Sequence, residues 1–334
     1  MSKTRKKRNG SAGKRLLALL ITLLCAFATY LSGGTSQPFE IHFLDVDQAD
    51  CALVIADGKT MLIDGGNPGD GPRIIDYLRT QGVQKLDVLI ATHPHSDHIG
   101  GLPYVVENIE ITQAFISPFV HTSATYEELL DNLDKANVAT AVPKTGQEFD
   151  LGGADCRVIA NGSGFDDAND ASIILRVAYG DVSALFTGDA EVPAEEAALA
   201  SGMNLRSTIL KVGHHGSETS SGQPFLDAVD PEIAVISCGK DNSYGHPHAD
   251  TLKKLDCEVR RTDEEGTVVL ASDGLTVTAK GETPVFKIYI GNWQSKKLHL
   301  IGCEYLPSFQ NMDFFWKRSM AIDAGYVPCG SCKP

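Results

Sequence analysis

Hydrophobic positions recur along this chain in two rhythms. Short β-type runs occupy residues 39–46, 51–56 and 60–64, with Asp57-Gly58 placed as a hairpin turn. Pro72 opens a helix in which Ile74, Ile75 and Leu78 fall at helical spacing. A mostly apolar run over residues 86–91 reads as a buried strand, and Gly100-Gly101 begins the next helix. Residues 124–136 are amphipathic, with Tyr126, Leu129, Leu130 and Leu133 on one stripe. Residues 172–187 read as two strands around Tyr179-Gly180-Asp181, and residues 192–200 as an acidic helix. Residues 207–212 and 232–237 are strands, and residues 258–280 read as strands joined at Glu265-Gly266 and Ser272-Asp273-Gly274. Strand-rich sequence with helices inserted at intervals, in two halves, predicts two packed sheets with helices outside.

Charge divides the chain. The first fifteen residues carry seven positive charges and no acid, and no charge follows until Glu40. The formal net charge of -14 therefore leaves about -21 on the remainder, which excludes a general nucleic-acid binder. The basic start is followed by an apolar run over residues 16–31, short against the ~20 residues a spanning helix needs. Ala26-Phe27-Ala28 offers a small-x-small cleavage site, so residues 1–36 read as a signal peptide or a membrane anchor. Either reading places the body outside the cell membrane, secreted or anchored. Cys51, Cys156, Cys238 and Cys257 sit singly in strand-like surroundings and read as core thiols.

The chemistry is concentrated in Thr92-His93-Pro94-His95-Ser96-Asp97-His98-Ile99-Gly100-Gly101, with three imidazoles and a carboxylate in six residues at the mouth of a strand. Four further loops carry ligand-type residues after apolar strands: Ile63-Asp64-Gly65-Gly66, Thr187-Gly188-Asp189, Lys211-Val212-Gly213-His214-His215-Gly216-Ser217 and Tyr244-Gly245-His246-Pro247-His248.

Taken together in this order, these loops resemble the metallo-β-lactamase superfamily over roughly residues 38–281. Within it the chain is most similar to the metallohydrolase domain of ComEC-type DNA-uptake proteins. His42-Phe43-Leu44-Asp45-Val46-Asp47-Gln48-Ala49-Asp50 and Asn169-Asp170-Ala171-Ser172 add to that likeness. Asp47 and Ala49 stand where the family pattern has glycines, and no membrane-channel domain is present in the sequence. The resemblance implies an α/β fold, an αββα sandwich over residues 37–283, with a two-metal site between the sheets. His93 and His95 would bind a first ion, Asp97 and His98 a second, and Asp189 would bridge them. One of His214 and His215 would complete the second site; His215 is preferred, with His214 facing substrate. A further histidine found in many members is replaced by Asn169 and Asp170, which implies a weaker first site or one that prefers Mn²⁺ to Zn²⁺, since oxygen ligands suit harder ions. Asp64 would orient a ligand histidine. His246 and His248 would contact a substrate oxyanion or hold their loop. Two ions about 3.5–4 Å apart would lower the pKa of a bridging water to about 7, and the resulting hydroxide would attack. Asp97, His214, His246 and His248 are thus the expected catalytic side chains, while His42 and His121 read as structural.

Beyond Thr283-Pro284 the composition changes. His299, Cys303, Cys329 and Cys332 form a second ligand set, suited to a closed tetrahedral zinc site or, after export, a Cys329–Cys332 disulfide. Residues 286–334 resemble the metal-binding domain of Ada-type DNA repair proteins, with a histidine where those proteins have their first cysteine; the likeness implies structural zinc. Six basic side chains face three acidic ones from Pro284 onward, and aromatics nearby suit a modest DNA-contacting surface or a small core. The expected function is an exported metal-dependent phosphodiesterase, DNA being the foremost substrate. The alternatives are a phosphorylcholine-type esterase on cell-surface polymers and a surface binding module whose metal is structural. Oligomeric state is not legible.

Overall fold

The computed structural model describes residues 38–280, 288–315 and 318–332. The segment read as signal or anchor and the Thr283-Pro284 junction lie outside the described residues. Among the described residues no helix is long and apolar enough to cross a membrane.

The strands are β1 (Phe39–Phe43), β2 (Ala52–Ala56), β3 (Lys59–Ile63), β4 (Lys85–Ala91), β5 (Glu110–Ile116), β6 (Ala139–Ala141), β7 (Glu148–Leu151), β8 (Ala154–Ala160), β9 (Ile174–Tyr179), β10 (Val182–Phe186), β11 (Ile209–Lys211), β12 (Ile233–Ile236), β13 (Glu258–Arg261), β14 (Val268–Ser272) and β15 (Val277–Ala279). The first sheet runs β15-β14-β1-β2-β3-β4-β5-β6 and the second β13-β12-β11-β10-β9-β8-β7. The helices are α1 (Gly71–Thr80), α2 (Ser96–Ile99), α3 (Leu102–Asn108), α4 (Ala124–Lys135), α5 (Val192–Ala200), α6 (Gln223–Val229), α7 (Ala249–Lys254) and α8 (Thr262–Glu265).

Three apolar layers follow from strand alternation. Inward side chains of both sheets, including Phe43, Val54, Met61, Phe186 and Val235, form the middle layer. Phe43 and Phe186 stack across it at 5.9 Å. Outward residues such as Leu62 and Leu89 pack under α1, α3 and α4, with Ile74, Leu78, Leu102 and Leu133. Leu185, Leu210 and Ala234 pack under α5 and α6, with Ala194, Ala198 and Phe225. Each fully buried aliphatic side chain contributes roughly 1.5–3 kcal/mol. The expected αββα sandwich is the fold observed.

Pairing direction places the chemistry. In the first sheet β3, β4 and β5 are parallel, and β1 runs with them because it is antiparallel to β2, which is antiparallel to β3. In the second sheet β10, β11, β12 and β13 are parallel. The carboxyl ends of β1, β3, β4, β10, β11 and β12 therefore meet at one rim, where open α/β sheets bind ligands. The opposite rim is closed by tight turns. There the Tyr179 hydroxyl donates to Asp57 at 3.0 Å and the Asp181 N–H donates to the Gly274 carbonyl at 2.7 Å.

One expected hairpin is absent. Glu265-Gly266 does not join paired strands, because β13 is an edge of the second sheet and β14 lies inside the first. The chain crosses between sheets there. The buried Thr262 hydroxyl donates to the Cys238 carbonyl at 3.0 Å and accepts the Cys238 N–H at 2.9 Å, so the strand stops and α8 forms.

After residue 288 the chain builds a separate sheet from β16 (Tyr289–Asn292), β17 (Lys297–Leu300), β18 (Met312–Phe315) and β19 (Val327–Pro328), in the order β18-β16-β17-β19, with helix α9 (Arg318–Asp323). Tyr289, Leu298, Ala321 and Tyr326 form its small core. Arg206 joins it to the body, pairing with Asp323 at 2.8 Å and Asp230 at 3.2 Å, and Arg318 pairs with Asp230.

Candidate metal centre and active site

The rim begins with Asp64, which ends β3 in a left-handed conformation (φ 60°) and tucks its carboxylate beneath the end of β4. It accepts the Thr92 N–H at 2.8 Å, the Thr92 hydroxyl proton at 2.7 Å and the His98 Nδ1–H at 2.8 Å. A carboxylate only accepts, so His98 carries a proton on Nδ1 and Nε2 is the nitrogen left for an ion. That Nε2 lies 3.1 Å from Asp189 Oδ1. Asp189 reaches the spot because Gly188 precedes it at φ 53°; a Cβ there would meet the Thr92 and Ser172 side chains at 2.9 Å.

From the second sheet, His214 and His215 follow β11 in left-handed conformations (φ 47° and 54°). His215 Nδ1–H donates to the Ser237 carbonyl at 2.9 Å, and Nε2 lies 3.3 Å from Asp97 Oδ2 and 3.6 Å from Asp189 Oδ2. Behind it, the buried Lys211 ammonium pairs with the buried Asp50 carboxylate at 2.7 Å. This ion pair spans the two sheets, and Asp50 Oδ1 stands 3.5 Å from His215 Nδ1.

Asp97, His98, Asp189 and His215 place one ligand atom each within 4.8 Å of one another. The structure itself tests whether a metal fits. His98 Nε2, Asp189 Oδ1 and His215 Nε2 are buried and have no hydrogen-bond partner. Each such orphan costs about 1–3 kcal/mol unless something fills the gap, and a nitrogen–oxygen donor set suits Zn²⁺ or Mn²⁺. Proton affinities carry the same message. Burial opposes charge on His98, but the Asp189 and Asp64 carboxylates outweigh it and hold the ring well above the ordinary histidine range. Burial acts likewise on His215, yet Asp189 and Asp50 push it up to about 10. Asp189 is held well below the usual carboxylate range, its burial outweighed by His98 and His215. Asp97 falls to about 2, its burial outweighed by the His215 ring beside it. The two carboxylates are thus held ionised, and protons favour the two rings, where a bound ion would displace them.

His93 and His95 are placed differently. His93 is buried, its Nδ1 3.2 Å from the Thr92 hydroxyl and 3.3 Å from that of Ser172. Its Nε2 is 3.1 Å from His95 Nδ1 and 3.9 Å from Asp189 Oδ2. His121, read as structural, packs edge-on to His95 with ring centroids 6.3 Å apart. Asp170 accepts the N–H groups of Glu191 (3.1 Å) and Ala194 (3.3 Å) at the start of α5, and Asn169 donates to Glu191 at 3.3 Å. Ser172, rather than either of these, lies against His93. His42 is buried between Tyr77 (2.7 Å) and Glu40 (3.0 Å), away from the rim.

At the open side, Gln48 accepts the Gly239 N–H at 3.0 Å, which turns its own amide N–H toward His246 Nδ1 at 3.2 Å. Burial and the neighbouring His215 lower His246 to about 4, so the ring is neutral and presents Nε2–H. Exposed Tyr244 stacks on it at 5.6 Å. His248 departs from the expected oxyanion contact: its Nδ1 accepts the Glu218 N–H at 2.9 Å and its Nε2–H donates to the Tyr244 carbonyl at 3.3 Å. Both ring nitrogens are spent on holding the loop.

The sequence profile of the metallo-beta-lactamase superfamily matches residues 44–240, more than half of the chain. The chain belongs to the metallo-beta-lactamase superfamily. It is similar to the Bacillus subtilis (strain 168) ComE operon protein 3, with 28% identity over 72% of this chain and 34% of that protein. It is also similar to the Neisseria gonorrhoeae competence protein ComA, with 29% identity over 83% of this chain and 38% of that protein. The chain thus spans about a third of the length of these curated relatives. Among solved structures, the metallo-beta-lactamase fold protein YhfI from Bacillus subtilis aligns with 11% identity and a TM-score of 0.46, over 67% of this chain and 96% of that one.

This member of the superfamily carries a second ligand cluster in its C-terminal sheet. His299, Cys303, Cys329 and Cys332 gather one donor atom each within 4.8 Å. His299 Nδ1 is 3.4 Å from Cys303 Sγ, and Cys332 Sγ accepts the Leu300 N–H at 3.4 Å. The Cys332 and Ser331 N–H groups lower the Cys329 thiol, which favours the ligating thiolate. Three sulfurs and one nitrogen suit a closed structural zinc site.

Sequence reasoning had no handle on Gln48, Asp50, Lys211, Glu191, Ser172 or Ser237 as site residues. Gln48, Asp50, Ser172 and Lys211 lie within motifs that drew attention, but only the fold shows which atom each addresses.

Proposed function

We propose that this chain is an exported, metal-dependent phosphodiesterase with DNA as its foremost substrate. The observation that carries the reading is the convergence of buried, unpartnered ligand atoms on Asp189 beside an open face where His246 presents an N–H. A closed structural site has no use for such an open face. The name of one relative, the Neisseria gonorrhoeae competence protein ComA, supports nucleic acid as the substrate.

His93, His95, Asp97, His98, Asp189 and His215 would hold two divalent ions. When bound, such a pair supplies Lewis acidity and a water acidic enough to attack at neutral pH. The chain's own residues do the rest. Asp64, Ser237 and Thr92 fix which nitrogen each histidine presents. Lys211 offsets Asp50, so the buried charge behind His215 is balanced. His246, held neutral with its proton on Nε2, donates to a phosphoryl oxygen as negative charge grows there. His299, Cys303, Cys329 and Cys332 would hold a zinc ion that staples a sheet too small to rely on its own core.

The test is to load the purified protein with Mn²⁺ or Zn²⁺. Single- and double-stranded DNA are then assayed beside bis-p-nitrophenyl phosphate and p-nitrophenylphosphorylcholine, with Asp189→Ala as control. DNA cleavage that disappears in Asp189→Ala is expected. Turnover of the choline ester without DNA cleavage would transfer the reading to cell-surface polymers. Tight metal binding with no turnover would make the protein a binding module.

A further inference from the structure

Four imidazoles surround the Asp189 carboxylate with the same polarity. The Nε2 atom of His98 is 3.1 Å from Oδ1, that of His215 is 3.6 Å from Oδ2, and those of His93 and His214 are each 3.9 Å from Oδ2. In each ring Nδ1 faces an acceptor. For His98 it is Asp64, and for His215 the Ser237 carbonyl. For His93 it is the Thr92 hydroxyl, whose own proton goes to Asp64. His214 follows the pattern: Nδ1 lies 3.0 Å from Glu191 Oε1 and 3.2 Å from Thr219 Oγ1, and the Thr219 hydroxyl donates to Glu191 at 2.9 Å. With acceptors on that side, the neutral ring keeps its proton on Nδ1 and directs a lone pair from Nε2 toward Asp189. Metal-binding histidines characteristically have this arrangement, the second nitrogen donating to a carboxylate or carbonyl.

His246 has the opposite polarity, because Gln48 donates to its Nδ1. The two rings face each other at 5.6 Å across the opening, one offering a lone pair and the other a proton. A lone pair does not bind an oxyanion. We infer that His214 is a ligand of an ion on the Oδ2 side of Asp189, the side that His93 also faces and where the family's further histidine is missing, and not the substrate contact its exposure suggests. Asp170, in that histidine's stretch of the chain, is engaged with the start of α5, and Asn169 beside it donates to Glu191 while its Oδ1 is buried without a partner. Glu191 becomes a positioning residue through its grip on His214. The inference rests on the dinuclear reading above.

The experiment counts ions in the full chain by equilibrium dialysis and Mn²⁺ electron paramagnetic resonance, independently of turnover. Asparagine tolerates the left-handed backbone at this position, so His214→Asn is the variant of choice. It should hold one Mn²⁺ ion fewer than the wild type, and Glu191→Gln should weaken one of the two ions about ten-fold. Should His214→Asn fail to fold, as judged by circular dichroism of the metal-free protein, Glu191→Gln alone decides. Two ions at wild-type affinity in the folded variants, with only turnover reduced, would overturn the assignment. A wild type that takes up no pair of Mn²⁺ ions would refute the dinuclear reading itself.

Discussion

Single atoms decide the chemistry at this rim. Asp64 accepts three hydrogen bonds, two from Thr92 at the end of β4 and one from His98, which sets the tautomer of that ring. Asp64→Asn places an amide N–H against the His98 Nδ1–H or forces the ring to turn. Metal affinity should fall about 10–100-fold in calorimetric titration, with little change in the circular dichroism of the metal-free protein. On the proposed mechanism His246 acts later, on the reacting group. His246→Ala should lower kcat by about 10²–10³ while the dialysed protein keeps its full metal content. Gln48→Leu, which frees the ring without deleting it, should fall between that variant and the wild type. Asp47 shows how a departure from a motif is absorbed: it stands where glycine was expected and adopts φ 56°, a conformation aspartate visits more readily than most residues.

At the scale of elements, α5 is tied to the loop after the His214-His215 turn by Glu195, whose carboxylate accepts the Ser221 and Gly222 N–H groups at 2.6 and 2.8 Å. Burial, opposed by those two bonds, pushes Glu195 from 4.5 up to about 7. An acid whose folded pKa is raised binds its proton more tightly in the native state, so its contribution is present below about 4.5 and lost as pH rises to about 7. Urea unfolding of the metal-free protein should show the wild type losing roughly 2–3 kcal/mol relative to Glu195→Gln between pH 4.5 and 8. Periodicity made α1 and α4 legible, composition made α5 legible, and apolar runs bounded by turns made β1 to β4 and β9 to β12 legible to within a residue or a few. Pairing was another matter. Nothing local in residues 258–280 says that β13 and β14 belong to different sheets, because a strand's partner is a long-range property. The ligand loops were readable because metal chemistry restricts residue type. The groups that orient them, such as Gln48 and Ser237, are ordinary polar residues whose meaning is purely spatial.

On the scale of the whole molecule, one ligand set lies at the rim shared by the two sandwich sheets and the other in the C-terminal sheet, and the chain should respond to their loss separately. Cys329→Ser should release zinc from the C-terminal cluster and expose the Tyr289 and Tyr326 core to protease. Metal at the Asp189 site should remain unchanged by elemental analysis. Loss of metal from both places would show that the two units fold as one. Ligands at the main site come from strand ends of both sheets, so bound ions also stabilise the sandwich; a hundred-fold excess over Kd is worth about 2.7 kcal/mol. Chelation should therefore lower the melting temperature of the body as well as silence it.

The turns that close the far rim have a practical consequence. Because Asp57, Tyr179, Asp181 and Gly274 lock that edge together without touching a ligand loop, it offers a handle for attachment. A bead or fluorophore grafted beside the Asp273-Gly274 turn would leave the ligand-bearing edge facing open solution, so an immobilised preparation should bind metal as the free protein does and, on the proposed function, still reach long polymers.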